Sequence, residues 1–135
     1  MPRSSSEHPT ALELEMLKVL WQDHPLTARQ IRQSLARNDR VLAHTSVITT
    51  LQKMVDKGQL QQLPPLEGKA LRFAPLVAES DISRRMLGDL VDRVFNGSAE
   101  AVMLSLFDVS DLDEDALKRL RRTFNRKLKE NKDEH

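Results

Sequence analysis

The 135-residue chain contains no cysteine and no tyrosine, and it has only one tryptophan and four glycines. A chain without cysteine forms neither disulfides nor thiolate metal sites, which favours a reducing, cytoplasmic location. No apolar run approaches the ~20 residues that a membrane-spanning helix requires, and residues 1–9 lack the apolar segment of a signal peptide. These absences, together with a mean hydropathy of −0.49, predict a soluble protein with a modest core.

Signatures of catalysis and of metal binding are missing as well. The sequence contains no glycine-rich phosphate loop, no GxSxG and no HExxH motif. The histidines lie far apart, without the spacing that places two ligands on one helix face; they are His8, His24, His44 and His135. The carboxylates between Asp108 and Asp115 suit the start of a helix. The sequence therefore predicts no enzyme, no cofactor and no metal site.

Charge is distributed unevenly along the chain. Residues 25–72 carry eight Lys/Arg and three Asp/Glu, whereas residues 76–135 carry 11 and 13. Contacts to phosphates supply most of the sequence-independent affinity of proteins for DNA. Phosphate contacts are therefore expected within residues 25–72.

The first predicted helix runs from about Thr10 to Asp23. Thr10 and Glu13 have the spacing of a capping box, and Pro25 marks the end of the helix. Trp21 lies on its apolar side and is predicted to anchor the core.

Two further helices follow within residues 28–57. Thr27 and Gln30 have the spacing of a second capping box and begin a helix over residues 28–37. The next helix covers residues 45–57, with Gly58 at the C′ position, where a left-handed backbone commonly ends a helix.

A two-stranded ribbon is predicted after the third helix. Residues 59–63 and the residues from Ala70 onward are short and apolar enough for strands, and the turn between them contains two prolines and a glycine. Alternation in the second strand predicts that Leu71 and Phe73 face the core and Arg72 faces outward. Three helices followed by two strands are the element order of a winged helix-turn-helix.

The third helix carries the candidate DNA-binding face. Core side chains recur on one side of it, at Val47, Leu51, Met54 and Val55. The side chains on the opposite face are mostly short, neutral and able to hydrogen-bond. Such side chains suit an approach to base edges in a DNA groove. The wing, residues 67–72, and the start of the second helix add cations for phosphates. The predicted DNA-binding residues are Thr45, Ser46, Ile48, Thr49, Gln52, Lys53, Lys69, Arg72 and Arg29.

Residues 78–129 are predicted to form a separate region of three amphipathic helices. Ser80 or Asp81 is predicted to cap the first of them. Their apolar surface exceeds what they can hide among themselves, so a homodimer through this region is expected; the alternative is packing back onto the winged domain. The predicted dimer interface comprises Ile82, Met86, Leu90, Val94, Phe95, Val102, Leu106, Leu120 and Phe124.

The predicted fold class is mainly α with a small β-ribbon, a winged helix-turn-helix domain plus a C-terminal helical dimerisation domain. The winged-helix domain covers residues 10–77 and the dimerisation domain covers residues 78–129. Residues 1–9 are predicted to be a disordered tail and residues 130–135 a charged tail.

Five segments occur in an order and at spacings that are fairly specific for one protein family. They are residues 14–21 (LEMLKVLW), 26–31 (LTARQI), 45–51 (TSVITTL), 72–77 (RFAPLV) and 94–98 (VFNGS). Over roughly residues 10–128 the chain resembles the penicillinase-repressor family of BlaI-, MecI- and CopY-like winged-helix transcriptional repressors. The resemblance implies a homodimer that binds a palindromic operator and represses transcription.

Three features depart from that family. Ile48 stands where the family usually places Lys or Arg, next to Thr49, so the operator sequence is not carried over. Residues 104–107 (LSLF) contain no Asn-Phe pair at which β-lactamase repressors are cleaved. The cysteine cluster of the copper-sensing relatives is absent, so thiolate-based metal release is excluded.

The predicted function is sequence-specific repression of transcription by a homodimer on a palindromic double-stranded DNA operator, with no membrane partner. Neither an inducing signal nor a protease is indicated by the sequence. One alternative is a ligand-sensing winged-helix regulator with a small-molecule pocket at its dimer interface. The other alternative is a winged-helix protein-interaction module. An affinity for duplex DNA that falls steeply with salt would exclude this module.

Overall fold

A computed structural model describes residues 8–133 as a mainly α-helical chain with a small antiparallel sheet. This confirms the predicted fold class, although the sheet has three strands rather than two. The elements are α1 (Ala11–Gln22), β1 (Leu26–Thr27), α2 (Ala28–Arg37), α3 (His44–Asp56), β2 (Leu60–Leu63), β3 (Arg72–Pro75), α4 (Glu79–Val94), α5 (Ala99–Val109) and α6 (Glu114–Asp133). Among the described helices, none combines the length and the apolar character needed to cross a bilayer.

The chain divides into two compact units, with the boundary between Asp89 and Leu90, inside α4. The sequence predicts a boundary between residues 77 and 78, whereas the first unit continues through the first turns of α4. Of the predicted N-terminal tail, residues 1–7 lie outside the described residues, and Pro9 is buried.

The first two helices begin as the sequence predicts. The Thr10 hydroxyl accepts a hydrogen bond from the Glu13 backbone N–H at 3.2 Å, and the Glu13 carboxylate accepts one from the Thr10 N–H at 3.0 Å. Thr27 and Gln30 make the same reciprocal pair at the start of α2. Each box satisfies two backbone donors that a helix start otherwise leaves without partners.

The C-terminal end of α3 is a Schellman motif around Gly58. The Gly58 N–H donates to the Val55 carbonyl and the Gln59 N–H donates to the Met54 carbonyl. Gly58 has φ +80°, a backbone conformation that disfavours side chains. The predicted C′ role of Gly58 is therefore confirmed, and the turn directs the chain straight into β2.

The core of the first unit lies between α1, α2, α3 and the sheet. It includes all the core residues predicted for α3 except Val55, which is half-buried. Trp21 packs against this core and its indole N–H donates to the Val77 carbonyl at 2.9 Å, so its predicted anchoring role is confirmed. The buried core residues are Met16, Leu17, Val19, Leu20, Leu26, Ala28, Ile31, Leu35, Val47, Leu51, Met54, Leu60 and Phe73.

The sheet has the order β1-β3-β2, and the central strand pairs with both neighbours. Leu26 of β1 lies opposite Phe73, and Leu63 of β2 lies opposite Arg72. Phe73 is buried as predicted, but the inward position predicted for Leu71 is wrong, since this side chain is 43% exposed. Leu71 precedes the first paired residue of β3, so it belongs to the wing loop rather than to the alternating strand.

The second unit is built from the end of α4 and from α5 and α6. The predicted break after α4 is present, with Asn96 and Gly97 at positive φ. Ser98 caps α5, and the Asp113 carboxylate accepts a 2.8 Å hydrogen bond from the Ala116 N–H at the start of α6. Two bounds differ from the predictions: α4 begins at Glu79, ahead of the predicted caps, and α6 continues through most of the predicted charged tail.

Candidate nucleic-acid interface

The exposed face of α3 presents most of the predicted DNA-binding residues together. Because an α-helix turns about 100° per residue, Val47, Leu51 and Met54 fall on one side, and all three side chains are fully buried. The side chains on the opposite side are exposed; they are Thr45, Ser46, Thr49, Gln52 and Lys53. The helix therefore offers four neutral hydrogen-bonding side chains and one cation on a surface that packing leaves free.

Ile48 lies at the border between these two sides of α3. It is half-buried and packs against the core of the first unit. The prediction that Ile48 belongs to the exposed face therefore needs correction, because core packing takes up part of its surface. What remains exposed is a hydrocarbon edge, which suits contact with a thymine methyl group rather than with a phosphate.

The N-terminal end of α3 has no side-chain cap. Ala43 occupies the N-cap position and offers no acceptor, whereas α1, α2 and α5 are capped by hydroxyl side chains. The first backbone N–H groups of α3 therefore have no capping side chain, and His44, Thr45 and Ser46 are exposed there. Backbone donors at a helix start are complementary to anions.

Asp56 is an exposed carboxylate at the opposite end of the same face. Its position about 20° from Thr45 around the helix follows from the helical repeat. A carboxylate repels other anions, so the charge of this face favours an anion at its N-terminal half and opposes one near Asp56. Asp56 is not among the DNA-binding residues predicted from the sequence, although its spacing from Thr45 and Thr49 places it on the same face of the helix.

The loop between α2 and α3 is held by two arginines. Arg32 donates from Nε to the Leu42 carbonyl at 2.9 Å, just before α3. Arg40 donates to the Glu15 carboxylate on α1, with Nε and Oε2 3.1 Å apart, and this pairing raises the pKa of Arg40. Two of the cations within residues 25–72 therefore help to position the loop that leads into α3, and their spacing in the sequence gave no signal for these contacts. Arg29 is exposed on α2.

A buried ion pair fixes the other end of α3. Nζ of Lys57 lies 2.8 Å from Oε2 of Glu13, and Glu13 is only 2% exposed. Burial raises the pKa of Glu13, but hydrogen bonds from Lys57, the Thr10 backbone and Gln59 outweigh it and hold that pKa below its ordinary value. The carboxylate that caps α1 therefore also ties α1 to the C-terminal end of α3. The two partners are 44 residues apart, so spacing gave no signal for this contact.

The wing is the loop between β2 and β3. Gly68 has φ +64°, and the Lys69 N–H donates to the Leu66 carbonyl at 2.8 Å, which closes the turn. Lys69 is exposed, as a phosphate contact requires. Arg72 is half-buried, and its Nε and Nη2 donate to the Pro64 carbonyl at 3.2 and 3.1 Å. Its guanidinium therefore braces the base of the wing, leaving fewer donors for DNA.

The predicted dimer-interface residues differ in exposure. Ile82 and Val102 are 2% and 8% exposed in the single chain, so they have little surface left for a second copy, and their assignment to the interface is corrected. Met86 and Phe95 are half-buried. The remaining predicted residues are exposed; they are Leu90, Val94, Leu106, Leu120 and Phe124.

Three helices, an antiparallel sheet, a free polar helix face and a wing define the first unit as a winged helix-turn-helix. Sequence comparison agrees with this class. The model of the Penicillinase repressor family matches residues 9–126. The chain therefore belongs to the penicillinase-repressor family, whose members are transcriptional repressors and not enzymes.

Individual relatives cover most of this chain. The transcriptional regulator BlaI of Mycobacterium tuberculosis strain H37Rv is 32% identical over 112 residues, which are 80% of this chain and 78% of that protein. The methicillin resistance regulatory protein MecI of Mammaliicoccus sciuri is 22% identical over 118 residues, 87% of this chain and 94% of that protein. The penicillinase repressor of Bacillus licheniformis is 23% identical over 108 residues, 80% of this chain and 82% of that protein.

Proposed function

We propose that the protein represses transcription in the cytoplasm by binding a palindromic DNA operator as a homodimer. The observation that carries this proposal is the exposed face of α3, which is polar, nearly neutral and free of core packing. In winged-helix proteins the corresponding helix enters the major groove. Two copies held by their C-terminal halves would place two such helices in successive grooves and exclude RNA polymerase from the promoter.

Base contacts and phosphate contacts divide between different parts of this surface. Thr45, Thr49 and Gln52 are short enough, and have the donors and acceptors, to read base edges. Lys53 and the wing Lys69 are exposed cations that suit phosphates. The uncapped start of α3 adds backbone donors for a further phosphate. The Asp56 carboxylate repels phosphates, so it limits how deeply this end of α3 enters the DNA groove.

The exposed apolar surface of the second unit supports dimerisation. Within residues 90–133 only Val102 is buried, and α6 has no buried residue at all. Large side chains on α5 and α6 stay 36–60% exposed; they are Met103, Leu104, Leu106, Phe107, Leu117, Leu120, Phe124 and Leu128. Five of these side chains line one cleft; they are Met103, Leu106, Phe107, Leu120 and Phe124. Exposed apolar surface of this kind is typical of association sites. A second copy of the same helices would bury it.

Selection from a random-sequence duplex library tests the proposal. A homodimeric repressor is expected to enrich a palindromic motif whose half-sites lie about one helical turn, or a small multiple of it, apart. Footprinting on the promoter of the protein's own operon would then locate the motif. Enrichment of a single asymmetric site, or of none, would contradict the proposal.

Two substitutions on α3 separate the proposed roles. Lys53→Ala is expected to weaken binding to every duplex and to reduce the slope of log Kobs against log salt by about one unit. Thr49→Ala is expected to relax the preference at one base pair and to leave that slope unchanged. Fluorescence anisotropy on selected and scrambled duplexes over a salt series measures both. Equal losses for both variants on scrambled DNA would contradict the division.

A cleft in the second unit favours ligand sensing as a second candidate function. Its volume is about 330 Å³, a size that suits a small apolar molecule. The lining residues are Met103, Leu106, Phe107, Ser110, Leu112, Leu120 and Phe124. A thermal-shift screen of apolar effectors tests this function. A hit that also lowers DNA affinity supports it, whereas a hit without any effect on DNA binding contradicts it.

A further inference from the structure

Between residues 118 and 129, one face of α6 carries cations as its only charged residues. Residues 118–129 contain seven Lys/Arg and no Asp/Glu, although the chain as a whole has a net charge of only +1. When successive residues are placed about 100° apart around the helix, five of these cations fall within an arc of about 100°. They are Lys118, Arg119, Arg122, Arg126 and Lys129. We call these five residues the α6 cationic face.

This face lies opposite the apolar stripe of the same helix. The stripe consists of Leu117, Leu120, Phe124 and Leu128, and its centre lies roughly 180° from the centre of the cationic face. Covering the stripe by a second copy would therefore leave the cations in contact with solvent. The five cations span residues 118–129, a length of roughly 16 Å along the helix axis at 1.5 Å per residue.

Acidic neighbours lie at the two ends of this face. Asp115 and Asp133 fall within the same arc, one turn before Arg119 and one turn after Lys129. Lys118 lies 3.2 Å from Glu114, and Arg126 lies 4.0 Å from Glu130. Among residues 8–133, no ion pair holds Arg119, Arg122 or Lys129, and all of these side chains are exposed.

The spacing of the cations also works against the stability of the helix. Lys118, Arg122 and Arg126 succeed one another at i, i+4 intervals, and like charges at this spacing destabilise a helix. A solvated face normally mixes both signs of charge. An arrangement that costs helix stability is better explained by an anionic partner than by solubility.

We propose that the α6 cationic face binds the phosphate backbone of duplex DNA as a second contact, outside the winged helix. The inference rests on the proposed function, because binding through α3 would hold the tethered second unit at high local concentration near the same DNA. Three of the five cations are arginines, whose planar guanidinium groups bind phosphate in a bidentate manner. An anionic membrane is a poorer partner, since the proposed dimer occupies the apolar stripe that membrane binding would need.

The test compares two triple variants of the full chain with equal loss of charge. The first, Arg119→Gln/Arg122→Gln/Arg126→Gln, removes the centre of the α6 cationic face. The control, Arg121→Gln/Lys127→Gln/Lys132→Gln, removes three cations of the same helix that lie outside the arc. The probe is a 40-base-pair duplex of mixed sequence over a salt series. Circular dichroism and sedimentation confirm that each variant keeps the fold and oligomeric state of the parent protein.

The first variant is expected to reduce the salt slope by two to three units and to lower affinity roughly tenfold at 0.1 M salt. The control is expected to change the slope by less than one unit. Equal effects of the two variants would overturn the proposal, since bulk charge would then explain both. If the triple variant fails to fold, Arg122→Gln alone is expected to lower the slope by about one unit.

Three further comparisons identify the source of a failure. If Lys53→Ala lowers the slope and the first variant does not, the inference is wrong while the proposed function stands. If the parent protein does not bind duplex DNA at all, the proposed function itself fails. A variant that loses affinity for heparin or for vesicles with anionic lipid, but keeps its DNA affinity, would assign the face to another polyanion and overturn the proposal.

Discussion

The two units of the chain differ in how completely each buries its apolar residues. In the first, seven large core side chains have no measurable exposure; they are Met16, Leu17, Leu20, Ile31, Val47, Leu51 and Met54. In the second, only Val102 among residues 90–133 is buried. The first unit completes its own core, whereas the second leaves on its surface the residue types that form cores.

The polar interactions differ in the same way. The first unit has two reciprocal capping boxes, a Schellman motif and the buried pair between Glu13 and Lys57. The ion pairs of α6 join exposed side chains four or three residues apart, such as Lys118 and Glu114, and pairs of this kind contribute little stability. The difference agrees with the proposal that a second copy of the chain covers the exposed apolar side chains of the second unit.

Truncation of a core residue is expected to give the largest effect on folding. Leu51→Ala truncates a fully buried side chain that α3 contributes to the core. This change should lower the free energy of unfolding by about 2–5 kcal/mol. Urea unfolding followed by the fluorescence of Trp21, the only tryptophan, reports on this unit. As a control, Leu66→Ala in the wing removes a side chain that is 60% exposed. A similar loss for both variants would contradict the packing described.

A charge placed in the second unit tests the opposite half of the comparison. Phe124 is 40% exposed in the single chain, so Phe124→Glu should leave the first unit folded and dissociate the proposed dimer. Loss of two-site binding should then weaken operator affinity by about 10²–10⁴-fold. Sedimentation and anisotropy on the selected duplex measure both effects. Thr123→Glu, on another side of α6, is the control for the oligomeric state, and a stable dimer of Phe124→Glu would exclude this interface.

Local sequence signals predicted local structure well. The spacing of Thr27 and Gln30 predicted the start of α2, and Gly58 predicted the end of α3, because each signal depends on neighbouring residues only. β1 was missed because it has only two residues and Thr27 also serves as the N-cap of α2. A strand this short has no periodicity of its own, and its pairing with β3 is a tertiary contact.

The candidate site was predictable only where it depends on a single helix. The side of α3 that faces away from the core follows from its periodicity, so the exposed positions of Thr45 and Thr49 could be foreseen. The hydrogen bond of Arg32 to the Leu42 carbonyl and the burial of Glu13 could not be foreseen, because both depend on elements that are distant in the sequence. Those contacts decide which charges remain available for the proposed DNA contacts, and a count of charges in the sequence does not show them.

Removal of the ion pair between Glu13 and Lys57 is expected to have an intermediate effect on the free energy of unfolding, and this effect depends on pH. Glu13→Gln removes the anion beside a half-buried cation and should cost about 1–3 kcal/mol at pH 7. Because the pKa of Glu13 in the folded protein lies below its ordinary value, the stabilisation is present above the unfolded pKa of about 4.3. It is lost as the pH falls through the folded pKa.

Urea unfolding between pH 7 and pH 3 measures this effect. The difference in stability between the parent protein and Glu13→Gln should shrink as the pH is lowered. Glu15→Gln is the matched control, since Glu15 pairs with Arg40 on the surface and should contribute much less. A difference that stays constant down to pH 3 would show that the charge of Glu13 is not the cause.

The smallest expected effect compares two exposed glycines. Gly58 follows α3 at φ +80°, and the space that an added Cβ would occupy is open, so Gly58→Ala meets only backbone strain. The expected cost is about 1 kcal/mol. Gly88 lies inside α4, also with open space around it, and Gly88→Ala should instead stabilise the protein by about 0.5–1 kcal/mol. Opposite shifts in Tm for these two glycine-to-alanine substitutions would show that the left-handed turn at the end of α3 requires glycine. Shifts of the same sign would show that it does not.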